Sequence, residues 1–252
     1  MMTRIDFSVI MLTGFKRAYE EDGVVVIPSV FSAEECDRIK EEAYGVTDDQ
    51  IKQSGYRHVP SEQAYNKKSL IFFPALANEY LNSIRTDERM FDIVREFLGD
   101  DVRQINNQIY FREAGDFDTF AWHRDTIFRE SHIFSSTLPT DYLQTIIVVD
   151  DIKEDNSPVE FITGSHFWDS FSIPEDLRAF ERKRYKGKKY TARKGDMMLW
   201  SVMIVHGSEA NKSTDSRMTY MNGFCRTRSA SDYPDYLVNG NVVENIDPRR
   251  IP

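Results

Sequence analysis

Residues 102–125 read VRQINNQIYFREAGDFDTFAWHRD, and this stretch decides how the rest of the chain is read. Gln104, Asn106, Gln108 and Tyr110 alternate with Ile105, Asn107, Ile109 and Phe111. That is the two-residue period of a strand. The stretch closes on His123-Arg124-Asp125, two candidate ligands separated by one residue. On an extended segment both side chains project to the same side, so one strand end can offer both to a single ion.

Downstream, turn signals separate further short apolar runs: Leu143 to Val149, Val159 to Thr163, Met197 to His206, and Met218 to Cys225. Several short strands without alternating helices predict a β-sandwich or jelly roll in place of a parallel βαβ sheet. Upstream the pattern is helical. Phe15 to Asp22 reads as a short amphipathic helix stopped by Gly23, and Val24 to Ile27 as a strand closed by Pro28. Ser32-Ala33-Glu34-Glu35 is a capping box opening a helix to about Tyr44. Asp87 to Leu98 predicts another, with Phe91, Val94, Phe97 and Leu98 on its buried face and Gly99 as its stop.

Bulk properties narrow the function. The 252 residues suit one large β domain with helical additions. A formal charge of −9 and a pI near 5.2 argue against a nucleic-acid binder. Cys36 and Cys225 make neither a disulfide framework nor a cysteine metal cluster, which suits a reducing cytoplasm. Met1 to Gly14 lacks the apolar segment and cleavage site of a signal peptide. No stretch approaches the roughly twenty apolar residues of a membrane span.

The chemistry gathers around His123. A second histidine, His206, follows the apolar run from Met197, and Arg217 opens the run after that. His-x-Asp with a distant histidine is the ligand pattern of the two-histidine, one-carboxylate facial triad. That triad binds non-haem Fe(II) on one face and leaves the other open for co-substrate and O2. The same ligand types also bind Zn(II), Mn(II) or Co(II). Arg217 adds a fixed cation suited to a carboxylate. Together they point to an iron- and 2-oxoglutarate-dependent oxygenase. The plain alternative is a surface His-Asp pair with an unrelated core histidine.

Three segments carry a resemblance: Phe-Ala-Trp-His-Arg-Asp (120–125), Asp-Asn-Ser-Pro-Val-Glu-Phe-Ile-Thr-Gly-Ser-His (155–166) and His-Gly-Ser-Glu-Ala-Asn (206–211). With the opening around Tyr19 to Pro28 and Phe31 to Cys36, they make the chain similar, in order from about residue 15 to 226, to the phytanoyl-CoA hydroxylase (PhyH) family. The resemblance implies a double-stranded β-helix barrel, mainly β with flanking helices. It divides the chain into a helical part at about 15–100, a barrel core at about 101–226 and a tail at 227–252. It implies His123, Asp125 and His206 as iron ligands, with Arg217 on the far carboxylate of 2-oxoglutarate. Ser208 and Thr219, two residues beyond His206 and Arg217, would reach that carboxylate from neighbouring strand positions. The family's halogenases lack the carboxylate ligand, so Asp125 favours hydroxylation over chlorination. Thr163 and Asn156-Ser157 replace the family's usual Pro and Asn-Gly, in a connection expected to lie away from the metal.

Other residues are weaker candidates. If the polar set of 104–110 faces the lumen, Tyr110 would touch 2-oxoglutarate while Asn106 and Gln108 meet the substrate; a solvent-facing stripe is the alternative. Thr126 to Asp141, carrying Phe128, Arg129, His132 and Phe134, is a natural substrate lid or a structural loop. His166 reads as a hydrogen-bonded structural histidine, and His58 and His132 as surface or loop residues. Residues 182–189 hold six cations, a candidate attractor for an anionic substrate or simply a solvated turn. The tail folds over the barrel mouth or mediates a dimer. The resulting expectation is a cytoplasmic enzyme, monomer or homodimer. It would use Fe(II), 2-oxoglutarate and O2 to oxidise an unactivated carbon of a small molecule, with no nucleic-acid or membrane partner. Hydroxylation is its default outcome; desaturation, ring closure and epimerisation use the same ligands. Two rivals stay open: a barrel that binds without turnover, and a cupin-type metal enzyme that does not use 2-oxoglutarate.

Overall fold

In the computed structural model the described residues are 9–46, 70–116, 119–128, 141–168, 186–226, 237–238 and 241–242. Two antiparallel sheets face one another, and helices cover the outer face of the larger. The elements that follow explain why His123, Asp125 and His206 end up between the sheets.

Helix α1 (Val9–Asp22) is longer than its sequence signal. Phe15, Ala18 and Tyr19 pack on the core while Met11 stays exposed, so the amphipathic stripe begins later than the helix. It stops at Gly23, where φ is +82° and a Cβ would lie 2.5 Å from the His166 ring. Strand β1 (Val24–Ile27) follows, then α2 (Ala33–Gly45). The expected capping box is present in both halves: Ser32 Oγ accepts from Glu35 N at 3.1 Å, and the Glu35 carboxylate accepts from Ser32 N at 2.8 Å. Replacing Ser32 by alanine is therefore expected to lower stability by about 1 kcal/mol, read from chemical denaturation midpoints.

Strand β2 (Leu70–Phe72) and helix α3 (Glu79–Arg85) carried no clear sequence signal. Helix α3 is only seven residues long and depends on Asn78, whose side chain accepts from Leu81 N. Helix α4 (Glu88–Leu98) starts after Asp87, its N-cap, one residue later than expected.

The larger sheet runs in the order β1, β8, β5, β10, β3, β11, β12, with β2 also on β3. Its strands are β3 (Val102–Arg112), β5 (Tyr142–Val148), β8 (Met197–Ser201), β10 (Arg217–Arg226), β11 (Leu237–Val238) and β12 (Asn241–Val242). The smaller sheet runs β4 (Phe120–His123), β9 (His206–Ser208), β6 (Val159–Phe161), β7 (Lys188–Tyr190). This is the expected jelly-roll class, with one difference. The two sheets are separate hydrogen-bonded ladders and do not close into one ring.

Alternation assigns the faces. Leu143, Ile147, Leu199, Met218, Tyr220 and Phe224 meet the helices, whereas Val24, Ile146, Val148, Met198 and Trp200 point inward onto Phe161 of the smaller sheet. Two irregularities correct the sequence reading. The expected strand from Met197 to His206 is two strands joined at 202–205, where the chain crosses between sheets. That crossing is buried, so its residues are as apolar as a strand and its turn leaves no polar mark. The other is a bulge: Phe224 pairs with Gln104 but Gly223 with Asn106, leaving Ile105 as an extra residue. Gln104 thereby leaves the polar stripe and turns to the helix side. There Gln104 and Asn107 both donate to Asn222 Oδ1, at 2.7 and 2.8 Å.

The tail was expected at the barrel mouth or a dimer contact. Its described strands pair within the chain, Leu237 opposite Gln104 and Val238 opposite Arg103. Among the described residues no helix is long and apolar enough to cross a membrane.

Candidate metal centre

His123 ends β4 and His206 begins β9, and the two residues are paired opposite one another across an antiparallel ladder. Asp125 lies just beyond, in a short 3-10 turn (Asp125–Phe128) whose first amide donates to Val202 O. One ligand atom from each of the three lies within 4.8 Å of the others, a spacing a single ion can bridge. Asp125 Oδ1 is 3.9 Å from His123 Nε2 and 3.7 Å from His206 Nε2.

The hydrogen bonds behind these atoms define which lone pairs converge. His123 Nδ1 lies 2.8 Å from Ala121 O, and His206 Nδ1 lies 3.0 Å from Ile204 O. A carbonyl only accepts, so each Nδ1 carries the proton and each Nε2 presents its lone pair to the centre. Burial, and secondarily the His206 imidazole, push the His123 imidazole down to about 4, with Asp125 acting in the opposite direction. The ring is thus neutral at physiological pH, the form that ligates a metal. The donor set of two imidazoles and one hard carboxylate fits Fe(II).

Trp200, absent from the sequence-level candidates, completes this arrangement. It projects inward from β8, and its Nε1 donates to Asp125 Oδ2 at 2.9 Å. That bond occupies one carboxylate oxygen and leaves Oδ1 toward the histidines. The expected consequence of Trp200→Phe is a fall in metal affinity of about 10–100-fold, measured by Fe(II) titration, with the fold retained.

Arg217 opens β10 opposite Arg112 on β3, and both are almost fully buried. Arg217 Nε donates to the carbonyls of Asn156 and Ser157 at 3.1 Å, and its Nη2 donates to Ser157 O as well. Burial first, and the neighbouring Arg112 second, push the Arg217 guanidinium down to about 9. Two adjacent buried guanidinium groups make a site for an anion. Arg112 also donates to Ser208 Oγ at 3.1 Å, pairs with Asp116 at 3.3 Å and stacks over Phe120. Thr219 faces inward two residues from Arg217, between Tyr110 and Val148. The Asn156-Ser157 turn was expected to lie in a connection away from the metal; its carbonyls accept from Arg217. Ser157 has φ +66°, in the left-handed region usually left to glycine.

The other candidates separate. Of the two arrangements left open by the sequence, Asn106, Gln108 and Tyr110 take the inward-facing one, and the Tyr110 hydroxyl donates to Gln108 Oε1 at 2.9 Å. Gly223, opposite both Asn106 and Gln144, keeps that face open to close packing: a Cβ there would be 2.6 Å from Gln144 Oε1. The backbone of Phe128 closes the turn after Asp125. The Phe128 side chain, residues 129–140 of the expected lid with Arg129, His132 and Phe134, His58 and residues 182–185 of the basic run lie outside the described residues. His166 Nε2 meets Glu20 O, in keeping with a structural role. Arg112 was reachable from sequence by extending the Tyr110 alternation one step. Trp200 was not, because its role depends on which sheet faces which.

Comparison with known proteins agrees with this geometry. The sequence profile of the phytanoyl-CoA dioxygenase (PhyH) family matches residues 19–219. A probable alpha-ketoglutarate-dependent hypophosphite dioxygenase of Stutzerimonas stutzeri is 25% identical over 94% of this chain and 88% of its own length. An ectoine dioxygenase of Bordetella bronchiseptica is 21% identical over 88% of this chain and 78% of its own. Among solved structures, the epimerase SnoN in complex with Fe3+, alpha ketoglutarate and nogalamycin RO superposes with a TM-score of 0.69, at 17% identity, over 87% of this chain and 85% of that one. EctD from S. alaskensis with 2-oxoglutarate and 5-hydroxyectoine gives a TM-score of 0.67, at 20% identity, over 91% of this chain and 84% of that one. The match across residues 19–219, over the same fold, makes this chain a member of the phytanoyl-CoA dioxygenase family.

Proposed function

We propose that the protein is an Fe(II)- and 2-oxoglutarate-dependent dioxygenase that oxidises, by default hydroxylates, a carbon of a small molecule. The observation that carries this reading is a convergent His-Asp-His cluster beside a buried two-arginine anion site. Ser208 links the two. It stands two residues after His206 on β9, a strand step of roughly 6.5 Å, and it accepts from Arg112. A five-carbon dicarboxylate spans that interval.

His123, Asp125 and His206 would hold Fe(II) by one face. With 2-oxoglutarate bound, that ion supplies oxygen activation coupled to decarboxylation of the co-substrate to succinate and carbon dioxide. Arg217, with Ser208, Thr219 and Arg112 around it, anchors the far carboxylate through charge-assisted hydrogen bonds. Trp200 holds Asp125 in one orientation. Asn106 and Gln108, on the inner face, are suited to orient a polar substrate. The buried, apolar flanks of the site, Phe161 and Met198 among them, keep water from the reacting centre. We read the described sheets and helices as one catalytic domain.

The hypophosphite, ectoine and nogalamycin named for the relatives support a small-molecule substrate without choosing one. Incubation with Fe(II), 2-oxoglutarate and isotopically heavy oxygen gas tests the reading. Succinate carrying one heavy oxygen, formed only with added Fe(II), is expected. A cupin-type enzyme would leave 2-oxoglutarate intact, and a binding barrel would produce nothing.

A further inference from the structure

We propose that Arg124, the middle residue of the His-x-Asp motif, is a positioning residue that ties the His123–Asp125 end of the metal centre to the His206 end. This inference rests on the metal-centre reading above and concerns residues that do not touch the metal. Between the end of β4 and the 3-10 turn, the Arg124 side chain points to the turn at 165–168. It is fully buried there, and its Nη2 donates to Ser165 O at 2.9 Å and reaches Trp168 O at 3.5 Å. Ser165 is fully buried too, and its Oγ accepts from Val205 N at 2.8 Å. Val205 immediately precedes His206.

A continuous path therefore runs from Arg124 through the turn at 165–168 and Ser165 Oγ to the backbone that presents His206. Side chains reinforce it: Trp122, before His123, and Val205, before His206, form one apolar cluster with Ile162 and Trp168. The backbone ladder alone is thin. Strands β4 and β9 pair at Phe120–Ser208 and His123–His206, with an irregular register between. A second connection across the gap fixes the separation of the two histidines more tightly than that ladder does.

Arg124 is a poor choice for filling space. Burial disfavours its charge, and among the described residues its Nε and Nη1 have no hydrogen-bond partner. Where only volume is needed, an apolar side chain is commonly the more stable solution. The guanidinium is retained for the carbonyls it reaches.

The test compares wild type with Arg124→Met, Arg124→Lys, Ser165→Ala and the Arg124→Met/Ser165→Ala pair. Each is titrated anaerobically with Fe(II) in the presence of 2-oxoglutarate. The visible spectrum with Co(II) reports ligand geometry, and melting of the metal-free protein reports stability. Because the two residues act in series, Arg124→Met and Ser165→Ala should each weaken Fe(II) binding by about 10–100-fold. The double variant should be little worse than the weaker single one. Arg124→Lys should recover part of the affinity, and the Co(II) spectra should change with it. If Arg124→Met does not fold, Ser165→Ala decides the matter alone. Wild-type Fe(II) affinity and an unaltered Co(II) spectrum in folded Ser165→Ala, with only the melting temperature lowered, would overturn the proposal. So would penalties that multiply in the double variant. Failure of the wild type to bind Fe(II), or wild-type affinity in His206→Ala, would instead remove the metal centre itself.

Discussion

His206→Ala and Asp125→Ala are each expected to abolish the Fe(II)–2-oxoglutarate complex. The three ligand atoms are held from behind, the two Nδ1 atoms by backbone carbonyls and Asp125 Oδ2 by the Trp200 indole. No other described His, Cys, Asp or Glu joins the group, so no neighbour replaces a deleted ligand. Losing an outer partner of a ligand costs about 10–100-fold in metal affinity, and loss of a ligand exceeds that. The fold is expected to survive the change. Among the described residues, the Asp125 carboxylate takes its hydrogen bond from the Trp200 indole, a contribution to stability of about 1.5–3 kcal/mol. Fe(II) titration and succinate formation check the result, with melting temperature as the control. Binding within threefold of wild type in either variant would refute the ligand assignment.

Arg217→Ala is expected to raise the 2-oxoglutarate concentration needed for half-saturation by about 100-fold or more. A buried, charge-assisted hydrogen bond contributes about 1.5–3 kcal/mol, and a guanidinium offers two to one carboxylate. Arg217→Lys should fall between, because an ammonium does not reproduce the fork that also satisfies Asn156 O and Ser157 O. Two readouts separate the anchor from a packing role. Fe(II) binding without 2-oxoglutarate should stay close to wild type. Stability should fall by about 1–3 kcal/mol, since two buried carbonyls lose their donor. Unchanged 2-oxoglutarate saturation in a folded Arg217→Ala protein would contradict the assignment, and Arg112 would then be the principal anchor.

The residues that converge in the His-Asp-His cluster were legible as candidates in the sequence because their chemistry is carried by residue type. His123, His206 and Arg217 each stand at a strand end, and Asp125 follows His123 by two residues in the turn after β4. Helix boundaries were legible where a cap marks them, as at Ser32 and Gly99. What failed depended on pairing between distant segments. The bulge that expels Gln104 from the inner face exists only relative to β10. The crossing at 202–205 stays hidden because a buried turn is as apolar as a strand. Trp200 became visible only once the facing sheets put its indole over Asp125, whereas Arg112 lay one alternation step beyond Tyr110 and is placed opposite Arg217 by the β3–β10 ladder.

The central claim is tested most directly by titrating metal-free wild-type protein with Fe(II) and 2-oxoglutarate under strict anaerobiosis, following the visible charge-transfer band of the chelate. The account predicts a band that requires both components and saturates at one iron per chain. A folded protein, given iron and 2-oxoglutarate, that develops no band would contradict it.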